Sequence, residues 1–201
     1  MKASHVDVHL DTFADNVGSL RAALTASTQL VLVVKADAYG HGLVPITRQA
    51  AVCGVNWFAV AYLDEALAVR EVAPHAEIVI LGAVEPADVP RLVEYRVLPV
   101  VVSEEHGRQL AGAAQQAGLK LRAHLKIDTG MGRFGVPFAE AAPVYERLAT
   151  QPGLQITGLC THFASVEPRK PSLGPDQMDR FRSLREDILR LTEIRIKRIS
   201  K

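Results

Sequence analysis

The segment "LRAHLKID", residues 121–128, alternates apolar and ionisable side chains along its whole length. The apolar positions are Leu121, Ala123, Leu125 and Ile127, and the ionisable positions are Arg122, His124, Lys126 and Asp128. A strand between two helical layers is expected to be apolar on both faces. A strand of a parallel (β/α) barrel can instead turn polar side chains towards a site at the barrel mouth. The pattern therefore favours a barrel over an open doubly wound sheet, with an edge strand facing water as the alternative.

This segment is one of six apolar runs of strand length, each followed by a segment of helical pattern. The predicted strands are residues 30–34, 57–61, 78–81, 97–102, 121–127 and 154–160. The predicted helices are residues 43–53, 62–73, 86–95, 104–117, 138–150 and 175–191. Such alternation with short connections indicates parallel strands covered by helices. We therefore predict an α/β protein with a parallel (β/α) TIM-type barrel that is incomplete, with about six of eight βα units.

The two ends of the chain fall outside this repeat. The alternating "HVDVHL" (5–10) is a strand candidate, and residues 11–24 form a predicted helix capped by Asp11 or Thr12. The predicted organisation is an N-terminal strand and helix (1–30), a partial barrel (31–192) and an atypical tail (193–201). The ending "TEIRIKRISK" alternates in the manner of a strand, but we interpret it as the end of a truncated or frame-shifted gene.

Composition excludes several function classes. The 201 residues are 48% hydrophobic and carry a formal net charge of +1, so nothing biases the chain towards nucleic acid or anionic lipid. Cys53 and Cys160 lie far apart and suggest free thiols in a reducing compartment. The N-terminus lacks the apolar stretch of a secretion signal, and no apolar run is long enough to span a membrane. A cytoplasmic protein without a metal site is therefore predicted.

The stretch "IDTGMGRFGV" (127–136) contains the spacing G-x-G-x-x-G of dinucleotide-binding loops. That fingerprint requires a helix immediately after the first glycine and an acidic residue about twenty positions later. Here Pro137 follows the loop, and the region 150–156 offers no carboxylate. The glycines are better explained by a tight loop that turns Arg133 back over the barrel mouth.

The strongest chemical signal follows the first run, in "VVKADAYGHG" (33–42). Lys35 stands at the end of an apolar strand, where a barrel would present an amine to its mouth. Partial burial favours the uncharged form of an amine, which condenses with aldehydes. Lys35 is therefore a candidate for Schiff-base formation, the alternative being an ordinary solvated lysine at a strand end.

Together, "VVKADAYGHG", "HLKIDTGMGRFGV" and "GLCTHFAS" resemble the bacterial alanine racemases, barrel-type (fold type III) enzymes that use pyridoxal 5′-phosphate. The resemblance extends from about residue 5 to about residue 190. It implies that Lys35 carries the cofactor as an internal aldimine and acts as a catalytic base. It also implies that Tyr39 reaches the cofactor phosphate and that Arg133 hydrogen-bonds the phenolic oxygen.

Three further site residues follow from the same resemblance. Lys126 matches a lysine that is carbamylated in many members and then braces the arginine, whereas the alternative is an unmodified lysine paired with Asp128. His162 matches a histidine beside the cofactor ring, and Leu81 matches a residue of the site wall. His41 is expected to belong to the turn, with a role near the phosphate as the alternative.

The resemblance also predicts parts that the 201 residues do not contain. The family continues with two more βα units, an arginine at the pyridine nitrogen and a C-terminal β domain. In the family homodimer that domain lends a catalytic tyrosine to the partner subunit. We therefore predict an alanine racemase, converting L-alanine to D-alanine for peptidoglycan, in a truncated form with impaired activity. The alternatives are a pyridoxal-phosphate-binding barrel without catalysis and a cofactor-free Schiff-base aldolase.

Overall fold

The computed structural model describes residues 6–164, 174–191 and 197–198. Its strands are β1 (Val31–Val33), β2 (Trp57–Val60), β3 (Glu77–Ile80), β4 (Val97–Val101), β5 (Leu121–Asp128), β6 (Val136–Pro137), β7 (Leu154–Cys160) and β8 (Lys197–Arg198). Its helices are α1 (Leu10–Ala22), α2 (Lys35–Gly40), α3 (Leu43–Val52), α4 (Leu63–Val72), α5 (Val89–Glu94), α6 (Glu104–Gln116), α7 (Ala141–Ala149) and α8 (Gly174–Leu191). Single 3-10 turns precede α5 and α7.

The strands form one parallel sheet in the order β1-β2-β3-β4-β5-β7-β8, with the short β6 beside β5. Strands that follow one another in the chain are therefore neighbours in the sheet, without the reversal of order that defines a doubly wound fold. Within the described residues β1 and β8 are not paired, so the sheet does not close. The prediction of an incomplete parallel (β/α) barrel is confirmed.

Two apolar layers flank the sheet because side chains alternate between its faces. The outer layer packs the strands against the helices and contains Ala123, Leu125 and Ile127 of β5. The inner layer consists of Val31, Trp57, Ala59, Val79, Leu98, Val100 and Cys160. On β5, His124 faces this inner layer, because it stacks on Trp57 and pairs in register with Val100. The ionisable row of β5 thus points into the barrel.

The predictions for the N-terminus are partly wrong. Residues 6–9 form no strand, and Val6 is 78% exposed, because no neighbouring strand offers this segment a partner within the described part of the chain. The helix begins at Leu10, and its N-cap is His9. Asp11 lies inside the first turn, where its carboxylate accepts from the adjacent Thr12 N–H instead of capping the helix.

At the other end, a small part of the predicted tail continues the sheet. Lys197 and Arg198 pair in parallel with Gly158 and Leu159 of β7. The other residues of 193–201 lie outside the described ranges. No helix in the described ranges is both long and apolar enough to cross a bilayer.

Arg70 of α4 ties two connections together at the amino-terminal end of the strands. Its guanidinium donates hydrogen bonds to the backbone carbonyls of Pro74 (3.0 Å), Ala76 (2.6 Å), Tyr95 (3.0 Å) and Arg96 (3.0 Å). These carbonyls belong to the chain segments that lead from α4 into β3 and from α5 into β4. A half-buried cation thus satisfies four acceptors that neither helix nor strand can pair.

Replacing Arg70 by methionine should therefore destabilise the fold. The apolar stem is kept while Ala76, Tyr95 and Arg96 lose their side-chain donor and the Pro74 carbonyl keeps one from Arg96 at 3.1 Å, so we expect the free energy of unfolding to fall by about 2–4 kcal/mol. Urea denaturation monitored by tryptophan fluorescence measures the loss. The matched control is Arg91→Met, since Arg91 forms an exposed ion pair with Asp64 at 4.0 Å. A change of about 0.5 kcal/mol or less is expected for the control, and equal losses in both variants would contradict the assignment.

Candidate active site

A cavity of about 570 Å³ opens at the carboxyl ends of the strands. Its base is formed by residues of the inner layer, among them Val31, Ala59 and Val100. Every site residue predicted from the sequence lies in its lining: Lys35, Tyr39, Leu81, Lys126, Arg133 and His162. These residues come from the ends of β1, β3, β5 and β7 and from the loops that follow them, so the parallel arrangement brings distant segments to one mouth.

The segment that carries Lys35 has an uncommon backbone conformation. The four residues Ala36, Asp37, Ala38 and Tyr39 all have φ between +52° and +55°, so α2 is a left-handed turn. A left-handed conformation costs an L-residue roughly 1–2 kcal/mol, and the turn persists only if its surroundings hold it. The turn reverses the chain directly after β1. Lys35 is consequently half-buried in the cavity wall, with its Nζ 6.0 Å from the ring centroid of Tyr39.

Hydrogen bonds hold this turn on both sides. Ala38 N–H donates to the Val34 carbonyl at 2.9 Å, and Leu43 N–H donates to the Asp37 carboxylate at 2.6 Å. The Ala36 N–H donates to Glu65 of α4 at 2.6 Å. His41 belongs to the turn as expected, since its Nδ1 lies 2.9 Å from the Ala38 carbonyl oxygen.

The loop after β5 is folded around the carboxylate of Asp128. That carboxylate accepts hydrogen bonds from Gly130 N–H (2.9 Å), Met131 N–H (2.9 Å) and Gly132 N–H (3.0 Å). Burial raises the pKa of Asp128, but the three amides and Lys126 outweigh it, so the net pKa is below the ordinary value. The glycines thus serve a loop wrapped around an anion. Arg133, which follows it, reaches the cavity.

Gly135 lets this loop return close to β5. A Cβ atom at this position would lie 3.0 Å from both the Asp128 nitrogen and the Lys126 Cγ, and its φ of +129° disfavours other residues. Lys126 is half-buried beneath the loop. Burial, followed by the nearby charge of Arg133, lowers the pKa of Lys126, and the opposing effects of Cys160 and Asp128 do not restore it. The uncharged fraction of the Lys126 amine is therefore increased.

The segment carrying His162 is held by a polar network that the sequence analysis missed. Gln177 of α8 is 1% exposed; its side chain accepts from Ala164 N–H at 2.9 Å and donates to Thr129 Oγ1 at 3.1 Å. The Thr161 hydroxyl donates to the Ile127 carbonyl at 2.9 Å. A signal for Gln177 was present in the sequence, because it occupies the apolar stripe of α8 formed by Phe181, Leu184 and Ile188.

Beneath Lys126, on the same face of β5, His124 is almost completely buried. Its ring stacks on Trp57 with centroids 6.3 Å apart and planes inclined by 23°. A Cβ atom at Gly158 would lie 2.7 Å from this ring, so only glycine leaves room for it on β7. The Nδ1 atom finds no hydrogen-bond partner in the described part of the chain. Burial, assisted by Arg122, lowers the pKa of His124 to about 4.

This pKa makes stability depend on pH in the acidic range. Below about pH 6.5 the unfolded chain binds a proton at His124, whereas the folded chain binds it only near pH 4. The free energy of unfolding should therefore fall as the pH decreases between these values, by up to about 3 kcal/mol from this group. Urea titrations at several pH values measure the slope, which His124→Gln should reduce. The exposed His75 provides the control His75→Gln, and an unchanged slope in the His124 variant would refute the assignment.

Comparison with known proteins shows to which family the chain belongs. Residues 8–200 match the family model described as "Alanine racemase, N-terminal domain".

The chain belongs to the alanine racemase family.

Individual members of the alanine racemase family match along most of this chain. The alanine racemase of Geobacillus stearothermophilus is 39% identical over 176 residues, which cover 87% of this chain and 45% of that protein. The alanine racemase of Halothermothrix orenii is 33% identical over 185 residues, covering 92% of this chain and 49% of that protein. The chain thus spans about half the length of the curated relatives it matches.

Solved structures of alanine racemases share the fold. The enzyme from Streptomyces coelicolor A3(2) superposes with a TM-score of 0.82 at 31% identity, covering 94% of this chain and 50% of that one. The Bacillus anthracis alanine racemase with bound L-Ala-P gives a TM-score of 0.83 at 28% identity, covering 94% of this chain and 48% of that one. The similarity therefore concerns the barrel half of these alanine racemases.

Proposed function

We propose that this chain provides the cofactor-binding half of a pyridoxal-phosphate-dependent alanine racemase, which interconverts L-alanine and D-alanine. The observation that carries this proposal is the single cavity lined by Lys35, Tyr39, Arg133 and His162, residues from three separate motifs. The family membership and the names of the relatives support it. A cytoplasmic location, a homodimer and a supply of D-alanine for peptidoglycan belong to the same proposal.

The side chains that line the cavity suit pyridoxal phosphate. The cofactor has an aldehyde, a phenolic oxygen, a flat ring and a dianionic phosphate. Lys35 would hold the aldehyde carbon, Arg133 would donate to the phenolic oxygen, and Tyr39 at the mouth would donate to the phosphate. Leu81 would provide an apolar wall for the ring, with His162 beside it. The cavity of about 570 Å³ lies within the range of small-molecule sites, roughly 300–1,000 Å³.

When bound, pyridoxal phosphate supplies an electron sink that acidifies the Cα–H bond of an attached amino acid. Lys35 removes this proton on one face of the substrate and returns a proton there in the reverse direction. Its half-buried position at the end of β1 places the amine at the cavity wall. The tyrosine of a partner subunit would act on the opposite face, as the resemblance implies.

Lys126 would carry a carbamate that braces Arg133. An uncharged lysine amine adds to carbon dioxide and releases one proton, which leaves a fixed anion beside the guanidinium. Burial lowers the pKa of Lys126 and so increases the reactive fraction of this amine. The alternative, an unmodified Lys126 paired with Asp128, is weakened because the Asp128 carboxylate already accepts from three loop amides.

Carbamylation can be tested directly with labelled carbon dioxide. In ¹³C-bicarbonate at mildly alkaline pH, the parent chain should show a carbamate carbon resonance in NMR spectra. The Lys126→Arg variant should lack this resonance, since a guanidinium does not react. Lys120→Arg is the control because Lys120 is exposed, and it should leave the signal unchanged. A parent spectrum without the resonance would favour the unmodified lysine.

The proposed function is tested by assaying the gene product that carries these residues for D-alanine formed from L-alanine. Activity that depends on added pyridoxal phosphate supports the racemase. A cofactor absorption band without D-alanine would instead support a non-catalytic binding barrel, which nothing in the relatives' names favours. Aldol cleavage without any cofactor band would support the Schiff-base aldolase.

A further inference from the structure

The carboxylate of Glu65 connects the loops that follow β1 and β2. Glu65 lies in the first turn of α4, where its Oε2 accepts from Ala61 N–H at 2.8 Å and from Tyr62 N–H at 3.2 Å. Its Oε1 accepts from Ala36 N–H at 2.6 Å, across 29 positions of sequence. One half-buried side chain therefore caps its own helix and holds the neighbouring strand end.

The Ala36 amide occupies a decisive place in the site. Ala36 follows Lys35 directly and is the first of the four left-handed residues. Within the described part of the chain, the other hydrogen bonds of this turn join residues close to it in sequence, as with Ala38 to Val34 and Leu43 to Asp37. Glu65 instead reaches the turn from a different βα unit. It therefore fixes the orientation of the strained segment relative to the rest of the barrel.

Ala61, the second backbone donor to Glu65, also lies at the cavity. Ala61 lines the cavity wall, and its carbonyl oxygen would lie 2.5 Å from a Cβ atom at Gly82, another lining residue. The Glu65 carboxylate thus joins the loops after β1 and β2, and the loop after β3 packs closely against the second of these. A charged acceptor forms stronger hydrogen bonds than a neutral one, and only a carboxylate can accept on both of its terminal atoms.

We propose that Glu65 is a positioning residue for Lys35. By accepting from Ala36 N–H, its carboxylate stabilises the left-handed turn that directs the Lys35 amine into the cavity. The orientation of Lys35 affects catalysis only if Lys35 binds the cofactor. The catalytic role of the contact between Glu65 and Ala36 therefore rests on the function proposed above. The contact itself is independent of any cofactor.

The test compares Glu65→Gln with Asp64→Asn. Glutamine keeps the size of the side chain, but its nitrogen must face a backbone donor at either Ala36 or Ala61. Asp64 is the adjacent acid in the same helical turn, and its side chain is 94% exposed, so the control removes the same charge without the contact. Two quantities are measured: amide hydrogen exchange at Ala36 without cofactor, and the rate at which Lys35 captures pyridoxal phosphate before borohydride quenching.

In Glu65→Gln we expect Ala36 to exchange about tenfold faster or more. Capture at Lys35 should slow by about tenfold to a hundredfold, as for other residues that orient a reacting group. Asp64→Asn should stay within about twofold of the parent in both measurements. A purely structural role would lower the urea midpoint but leave the capture rate of the folded protein unchanged. That result, or parent-like exchange at Ala36, would overturn the proposal.

The experiment still decides the question if Glu65→Gln does not fold, or if the parent captures no pyridoxal phosphate. If Glu65→Gln does not fold, Glu65→Asp replaces it, because the shorter acid can cap its own helix but not also reach Ala36. The aspartate variant should then protect Ala61 and release Ala36, and protection of both would refute the inference. If the parent captures no pyridoxal phosphate at Lys35, the proposed function fails, while hydrogen exchange at Ala36 still decides whether Glu65 holds the turn.

Discussion

Replacing Lys35 by arginine should reduce covalent capture of pyridoxal phosphate to background. A guanidinium stays protonated throughout the accessible pH range and does not condense with aldehydes, so the variant keeps the charge but loses the nucleophile. The half-buried position of Lys35 at the end of β1, facing the cavity with Arg133 and His162, explains why this amine and not a surface lysine should react. Arginine is also close in size, which limits disturbance of the left-handed turn.

Borohydride reduction followed by peptide mapping measures this result. In the parent chain the pyridoxyl group should lie on the peptide containing residues 33–42, and in Lys35→Arg that label should disappear. Lys120→Arg is the matched control, because Lys120 is exposed and distant from the cavity lining. A label found chiefly on Lys126 or Lys120 of the parent would show that the cofactor amine has been misassigned.

A polypeptide of these 201 residues, assayed by itself, should racemise alanine at a rate far below the ordinary turnover rates of enzymes. Racemisation requires a proton donor on each face of the planar carbanion, and Lys35 serves one face. The family resemblance assigns the other face to a tyrosine of a partner subunit, in a domain beyond the region matched here. Tyr39 is 61% exposed at the mouth and, in the function proposed above, would bind the cofactor phosphate instead. Loss of a positioned acid or base typically costs about two to four orders of magnitude in rate.

The assay follows two signals in deuterated water with pyridoxal phosphate and L-alanine. Deuterium should enter at Cα slowly while little D-alanine forms, because Lys35 exchanges the proton that it removed for a solvent deuteron and delivers that deuteron to the same face. Lys35→Arg should abolish even this exchange. D-alanine formation at about 1 per second or faster, within the ordinary range of enzymes, would mean that a residue of this chain provides the second base.

Parts of the polar framework have a role beyond holding the fold together. Glu65, Asp128 and Gln177 each bind backbone groups of a loop that carries a site residue. The loop after β1 carries Lys35, the loop after β5 carries Arg133, and the segment after β7 carries His162. In the proposed function, Lys35, Arg133 and His162 would each be oriented by a buried or half-buried polar group on a helix or strand, the arrangement expected of a preorganised site.

The amino-acid sequence alone determined the fold class, whereas the residues of the candidate site were predicted from the resemblance of its motifs to the alanine racemases. Side-chain alternation in strands and the spacing of apolar positions in helices are local properties. Six βα repeats could therefore be predicted from the apolar runs and the segments of helical pattern that follow them. The polar face of residues 121–128 distinguished a barrel from a doubly wound sheet, and β5 does direct His124 into the inner layer. The motifs then identified the lysine, tyrosine, arginine and histidine that line one cavity.

Only the tertiary structure decided how these residues are held. The left-handed turn at 36–39 contains two alanines, an aspartate and a tyrosine, and of these only the aspartate adopts that conformation at all often, so local propensity could not predict four such residues in a row. Its stability depends on Glu65, 29 residues away, just as His124 depends on Trp57 and Gly158. The strand predicted at 5–10 did not form, since the alternating residues 6–9 have no neighbouring strand within the described part of the chain. Hydrogen bonds and close packing between distant segments exist only after the chain has folded, and a linear pattern carries no direct record of them.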